Sequence, residues 1–405
     1  MNRRNSLLAR FSTCVWLSAS VSLAGLFACH TAFAIPDGKV VVWGYNINNQ
    51  TNVPSAANGA VAIDGGGTTD GGLDIALRTN GTVAVWGWNY AGLTNPPPAV
   101  TNVVAVSAGW SSYLALKKNG TIVAWGDNYY GQTNIPPGLT NVVAVAAGGR
   151  FGLALKSNGT VVGWGTGNYG ETNAPADLTN AVAISAGSYH ALALRSNHTV
   201  AAWGAGTNGG GSSFNYGQSI VPIGLTNVVA IAAGSYHSLA LKADGTVVAW
   251  GAGTNNSGGS LNAGQSIVPA GLTNVIAIAG GGGDFGGHSM ALKSDGTVTA
   301  WGYNAYGQTN VPALLSNVVA ISAGYAHSMA ISADLKIYSL NAGASPFVQF
   351  HTFSGRQYTV QFSTNLAAGI WTDLAPANIS GNGLDVTITD TNGIVPAKFY
   401  RVKQN

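Results

Sequence analysis

Carboxylates, thiols and charge in general are what this sequence has least of. Only 8% of its 405 residues are charged, a single glutamate, Glu171, stands among 14 acids, and the two cysteines, Cys14 and Cys29, both fall within the first 34 residues. A hydrolase working with paired carboxylates therefore has few candidates. A thiol nucleophile, a thiolate metal site or a disulfide has none beyond residue 34. Long helices are disfavoured as well, because glycine is costly inside a helix and the chain holds 57 of them. What the composition suits is an all-β protein with a large core, built from many short strands joined by tight turns.

The first 34 residues read as a secretory signal. Arg3, Arg4 and Arg10 make a basic start, an apolar stretch runs from about Val15 to Phe27, and Ala32-Phe33-Ala34 supplies the small residues of a cleavage point, so the mature chain is expected to begin at Ile35. The apolar stretch is shorter than the ~20 residues that cross a bilayer, which argues against a transmembrane anchor. Leu26-Phe27-Ala28-Cys29 offers an alternative, since it resembles a lipoprotein cleavage box, although Phe27 fits that pattern poorly. Either way the protein is expected to be secreted, periplasmic or on the cell surface. Removing the three arginines from the 17 basic residues leaves them in balance with the 14 acids. A neutral mature chain argues against nucleic acid as a partner, because duplex binding rests on neutralising phosphates.

Internal repetition organises the rest. A Trp-Gly pair recurs at Trp43, Trp86, Trp125, Trp164, Trp203, Trp250 and Trp301, with spacings of 43, 39, 39, 39, 47 and 51 residues. One unit reads Val228 to Gly234, then His237-Ser238-Leu239-Ala240-Leu241-Lys242, then Asp244-Gly245 and Thr246 to Gly251. Each piece has the length and alternation of a short strand. Asn-Gly or Asp-Gly supplies the hairpin turn in most units, with Asn197-His198 and Asp334-Leu335 as departures. Glycine-rich insertions at Gly65 to Gly72 and Gly280 to Gly287, and longer loops after Trp203 and Trp250, account for the irregular spacings. A unit of three or four strands cannot bury both faces alone, so such units stack around an axis and close into a ring.

The Ala-Gly, His-Ser-Leu-Ala-Leu-Lys and Val-Ala-Trp-Gly signatures resemble the regulator-of-chromosome-condensation repeat family. That resemblance implies a seven-bladed β-propeller over residues 35-344. The lone strand Val40-Val41-Val42-Trp43 and the pair from Val318 to Ile331 are expected to complete one blade from both chain ends, with Lys336 to Leu340 as a competitor for that place. The 39-residue unit and the loops Gly131-Gln132-Thr133-Asn134-Ile135-Pro136 and Gly307-Gln308-Thr309-Asn310-Val311-Pro312 are similar to those of secreted bacterial propellers that inhibit β-lactamases. Residues 345-405 leave the repeat. Tyr358 to Asn365, Trp371 to Leu374 and Phe399 to Val402 resemble a small immunoglobulin-like or fibronectin-like β-sandwich module.

Strand direction places both variable loop sets on one face of the ring, and that face collects aromatics. The binding candidates are Trp88, Tyr90, Trp110, Tyr129, Tyr130, Tyr169, Tyr189, Tyr216, Tyr236, Tyr303, Tyr306 and Tyr325, with Phe151 and Phe285 beside them. Rigid exposed Tyr and Trp are favoured anchors in protein recognition, and packing between loops is the competing reading. The opposite face carries Arg78, Lys117, Lys156, Arg195, Lys242 and Lys293 beside the hairpin turns, where a solvated rim is expected.

His190, His237, His288 and His327 occupy equivalent positions in successive units. Residues of adjacent blades do not converge on one coordination sphere, so no metal is expected there. Asp64, Asp70 and Asp74 could offer oxygens to Ca²⁺, but nothing repeats their spacing. No catalytic residue, cofactor or metal is therefore assigned. The expectation is a monomeric binding protein, not an enzyme, whose loop-bearing face engages an extracellular or periplasmic protein or a glycan. The alternatives are an inhibitor of a secreted or cell-wall enzyme such as a β-lactamase, and a polysaccharide-active enzyme drawing on His237 or Glu171.

Overall fold

The hairpin turns show how local chemistry sets the repeat. In the turn at Asn119-Gly120, Gly120 takes φ +78°, and the Asn119 Oδ1 accepts both the Thr121 N–H at 3.1 Å and its hydroxyl at 2.7 Å. Asp244 and Thr246 do the same at 3.0 and 2.6 Å around Gly245. Asn-x-Thr recurs for this reason. His198 holds the left-handed position in the unit without glycine, at φ +63°, and its Nδ1 donates to the Val228 carbonyl at 3.1 Å.

These turns belong to a computed structural model that describes residues 38–207, 214–254, 261–283, 286–333, 337–341, 347–351, 357–363, 370–374, 379–380, 385–390 and 399–404. The expected signal, most of the long loops after Trp203 and Trp250, and Phe285 lie outside the described residues. Among those described, the repeat region forms seven three-stranded antiparallel units, the first and seventh linked into one six-stranded sheet by the pairing Gly38↔Ala60. Six come from consecutive chain: Ala60–Thr68, Gly71–Arg78 and Val83–Gly87 form the first, and Val275–Gly283, Gly286–Lys293 and Val298–Gly302 the sixth. The seventh joins Val318–Ala323 and His327–Ala333 to Gly38–Gly44, which pairs with His327–Ala333 in continuous register from Gly38↔Ala333 to Gly44↔His327. The ring is thus closed by hydrogen bonds between the two ends of the repeat region. In every unit the register shifts near the start of the first strand, as at Val142/Ala144, a bulge that adds twist.

The first strands line the axis, each touching the next, with the seventh returning to the first. Between successive blades lie apolar layers, for example Leu114, Leu116, Val145, Ala154 and Trp164. Each Trp-Gly indole is buried and donates its Nε1–H to the carbonyl of one repeat position in the loop entering its blade. The bonds run from Trp43 to Gln308 at 2.9 Å, Trp86 to Gln50 at 2.8 Å, Trp125 to Leu93 at 3.0 Å and Trp164 to Gln132 at 2.9 Å. They continue from Trp203 to Glu171 at 2.8 Å, Trp250 to Gln218 at 2.9 Å and Trp301 to Gln265 at 3.0 Å. The Trp-Gly pair repeated along the chain is therefore a latch between loop and sheet, satisfying the one polar atom of a large buried ring.

Ile337–Asn341 does not compete for the closing place. It pairs with Phe347–His351, which pairs with Asp385–Thr389, so the hairpin straddles residue 344, where the sequence placed the domain boundary. A second small sheet gathers Thr372–Asp373, Gln357–Ser363, Ile379–Ser380 and Phe399–Gln404. Val348, Phe350, Tyr358, Val360, Leu374 and Ile388 form the core between the two sheets, which also reaches Val319 and Ala333 of the seventh blade.

Candidate functional site

Strand direction delivers the Ala-Gly turns and the segments after Trp-Gly to one rim, and the aromatics there form connected groups. The largest begins at Tyr129, whose ring meets Tyr130 edge-on at 4.9 Å. The Arg150 guanidinium carbon lies 4.2 Å from the Tyr130 ring centre and 5.3 Å from that of Trp110. Trp110 meets Tyr189 edge-on at 5.3 Å, and Tyr189 continues to Tyr169 at 5.5 Å, Phe214 at 4.4 Å and Tyr236 at 5.7 Å. Tyr216 completes the group against Tyr236 at 5.4 Å. Two smaller groups stand apart: Trp88 stacked on Tyr90 at 5.0 Å, and Tyr45 with Tyr306 and Tyr303 at 4.6 and 6.3 Å between neighbouring rings.

Exposure sorts these candidates. Tyr129 is 84% exposed, Tyr90 52%, Tyr306 41% and Tyr169 40%, while Trp88, Trp110, Tyr130, Tyr216 and Tyr303 are half-buried. Tyr189, Tyr236 and Tyr325 are buried, contrary to the expectation of exposed anchors, and Phe151 sits wholly inside an interblade core. Tyr189 and Tyr236 are buried among Ala205, Ala252, Phe214 and Tyr216, and Tyr325 lies against Gly283 of the glycine-rich insertion, where a Cβ would stand 1.6 Å from its ring. Arg150, Phe214 and Tyr45 were not singled out from sequence. The repeat carried a signal for Arg150, which takes the position held by Tyr189 and Tyr236 in the next two blades.

Trp110 spans the mouth. Its Nε1–H donates at 3.0 Å to Ser188 Oγ, two blades away, and Ser188 Oγ donates at 2.9 Å to Ser235 Oγ. Gly149 in the intervening blade leaves room, since a Cβ there would come within 3.1 Å of the indole. Behind the mouth the channel wall encloses about 70 Å³ between residues such as Asp64, Ser107, Ser185 and Ser322. Small-molecule sites are larger, about 300–1,000 Å³.

The titratable groups are occupied with structure. Asp64 accepts the Ala108 N–H at 2.9 Å, the Ser107 hydroxyl at 3.1 Å and the Ser322 hydroxyl at 2.8 Å, and burial still pushes its carboxyl up to about 6. Asp74 lies wholly buried with one oxygen 2.6 Å from His327 Nε2; burial raises its pKa, outweighing the imidazole beside it. Asp70 is exposed, so the three aspartates do not converge. Among the described residues no group of three or more His, Cys, Asp or Glu side chains could hold a metal ion.

Each remaining histidine of the series points into the next blade. His190 donates through Nε2 to Ser238, and His237 to Ser289, both at 2.9 Å, while His288 donates to Ser328 at 3.0 Å. Burial lowers all three to about 3, with neighbouring imidazoles adding to it for His237 and His288. Glu171 accepts the Tyr169 N–H at 2.7 Å, as Gln132 accepts that of Tyr130 at 2.9 Å, so the residue considered for catalysis braces a loop. On the opposite rim, Arg195, Lys242 and Lys293 pair with Asp177, Asp244 and Asp295 at 3.0, 3.1 and 3.5 Å.

Five segments of the chain, residues 103–132, 142–171, 181–209, 228–258 and 286–308, match the model of the Regulator of chromosome condensation (RCC1) repeat. Among curated proteins none matches the chain. The solved structure of yeast RCC1 (Prp20) bound to Kap60 is similar, with a TM-score of 0.59 and 17% identity over 83% of this chain and 96% of that one. Prp20p of Saccharomyces cerevisiae, in a study of its binding to Gsp1p and histones, gives 0.57 and 19% over 75% and 93%. The ectodomain of the Physcomitrella patens receptor kinase CR4 gives 0.51 and 23% over 71% and 69%. The five matched repeats and the closed ring agree with these likenesses, and the fold of the chain is an RCC1-like β-propeller.

Proposed function

We propose that the protein is a secreted or cell-surface binding module whose loop-bearing face engages a protein partner. The observation that carries this reading is the connected aromatic surface from Tyr129 through Arg150 and Trp110 to Tyr169 and Tyr216. It offers large rigid rings with few torsions to freeze, beside a channel that encloses about 70 Å³. An RCC1-like propeller suggests protein binding in general, and the yeast neighbours are described with protein partners, Kap60, Gsp1p and histones. The secretory signal read in the first 34 residues, and the ectodomain among the structural neighbours, support a partner outside the cytoplasm. A non-enzymatic role accords with the buried acids and histidines, each engaged in holding loops or blades together.

The test compares two sets of variants in cross-linking capture from the culture medium and cell envelope of the producing organism. Tyr90→Ser, Tyr129→Ser and Tyr169→Ser together should abolish capture of a partner that wild type retains, because these rings are exposed. Lys117→Ser with Lys156→Ser on the opposite rim should leave it intact. Capture indifferent to the three tyrosines would refute the reading.

A further inference from the structure

Resting on the reading of the loop-bearing face as a protein-binding surface, we propose that Arg150 makes it a receptor for an acidic segment, an Asp or Glu flanked by apolar side chains. The guanidinium carbon lies 4.2 Å from the Tyr130 ring centre and 5.3 Å from that of Trp110, and rings at these distances offer the cation no oxygen acceptor for its five N–H donors. Among the described residues no ion pair includes Arg150. The other basic residues of the seven blades lie at the far ends of the strands, beside the hairpin turns. Asp127, in the loop that carries Tyr129 and Tyr130, accepts from Gln132 at 3.0 Å and from the Tyr129 N–H at 3.1 Å, and Glu171 is buried and accepts the Tyr169 N–H, so neither carboxylate is paired with Arg150.

A cation without an ion-pair partner among the described residues therefore stands within an aromatic surface, where a planar fork matches a carboxylate with two parallel bonds. The surrounding rings suit apolar neighbours of that carboxylate. A neutral sugar would cover the guanidinium without supplying a counter-charge, which penalises it. A polyanion such as nucleic acid would find one cation where several phosphates need neutralising.

The probe is an array of random 15-residue peptides, each printed beside a twin in which Asp and Glu become Asn and Gln. Wild type should retain peptides rich in Asp and Glu and bind their twins at least tenfold more weakly. Arg150→Met, which keeps an apolar stem against the rings, should lose that discrimination with an unchanged thermal unfolding midpoint. Arg150→Lys should fall between, keeping charge without the fork. Twins bound as well as parents, discrimination surviving in Arg150→Met, or no peptide bound at all would each overturn the proposal. In the first two cases, peptide binding lost in Tyr129→Ser would show that the aromatic face still binds protein. Neutral glycans retained equally by wild type and Arg150→Met on a parallel glycan array would assign the face to sugars.

Discussion

Three acids sit where other repeats use a neutral side chain, and each takes over the accepting part of the neutral residue's task. Asp64 accepts the Ala108 N–H of the next blade just as Ser107 accepts that of Ala147, Ser185 that of Ala233 and Ser322 that of Gly65. Asp74 stands at the position of Ser238, Ser289 and Ser328, and Glu171 at that of Gln132 and Gln218. The charge adds desolvation to a geometry that does not require it, which is why burial raises all three. For Asp64 the folded pKa is about 6 against an ordinary 3.8, so the folded state holds the proton more tightly than the unfolded one. Its contribution is fully present below about pH 4 and is lost as pH rises through about 6. Asp64→Ser should therefore flatten the pH dependence of the thermal midpoint across that window and raise the midpoint at pH 7. Glu171→Gln should act in the same direction. A lower midpoint for both variants at pH 7 would mean that hydrogen bonds to the carboxylates outweigh their burial. Glu171 stood out in the sequence as the single glutamate, which left a carboxylate hydrolase with few candidates and made it one of two residues on which an enzymatic alternative could draw. Only its alignment with Gln132, together with the bond to the Tyr169 N–H, reveals a brace.

Between elements, the repeat was legible as strands but not as contacts across blades. The four histidines read as equivalent positions in successive units, yet the partner was written in the following unit. Where a unit opens its second strand with His, the next has Ser or Asp one place later: His190 with Ser238, His237 with Ser289, His288 with Ser328, His327 with Asp74. Where it opens with Ser112 or Phe151, the next has Gly152 or Ala191. The serine hydroxyl donates onward, as Ser289 does to the Gln265 carbonyl at 2.9 Å, so the imidazole must donate through Nε2. Removing the imidazole in His237→Ala leaves a cavity and a serine still bonded to a carbonyl. His327→Ala leaves the same cavity and a buried, unpaired carboxylate, a loss of about 3–5 kcal/mol when one partner of a buried pair is removed. Urea unfolding should show His327→Ala to be the more destabilising, with the excess vanishing in an Asp74→Ser background. Equal losses would indicate that Asp74 is already protonated beside His327.

At the scale of the whole molecule, every blade but one is made from contiguous chain, so the ring depends on a single seam formed from distant segments. Gly38–Gly44 lies against His327–Ala333, with Val40 and Trp43 buried there and the Trp43 indole bonded to Gln308. The sequence announced the seam by opening on a third strand without its two predecessors. It could not show that Ile337–Asn341 is drawn away into the hairpin with Phe347–His351, because a degenerate strand of the right length satisfies either pairing. A linkage formed so far apart in sequence carries a large closure entropy in the unfolded chain, and a covalent bond across it removes much of that cost. Lys39 and Ser332 are directly paired in register, Lys39 is exposed and Ser332 half-buried, and a chain beginning at Ile35 contains no cysteine to compete. Lys39→Cys with Ser332→Cys should oxidise readily and raise the thermal midpoint, by up to about 5 kcal/mol of stabilisation in the chain-entropy limit. Dithiothreitol should return it to the value of the reduced double variant. If the seam is where unfolding begins, the oxidised form should also unfold more slowly in a denaturant jump, with refolding less affected, because a bond across the first region to open opposes the unfolding step. An unfolding rate unchanged by oxidation would place the first opening elsewhere in the ring.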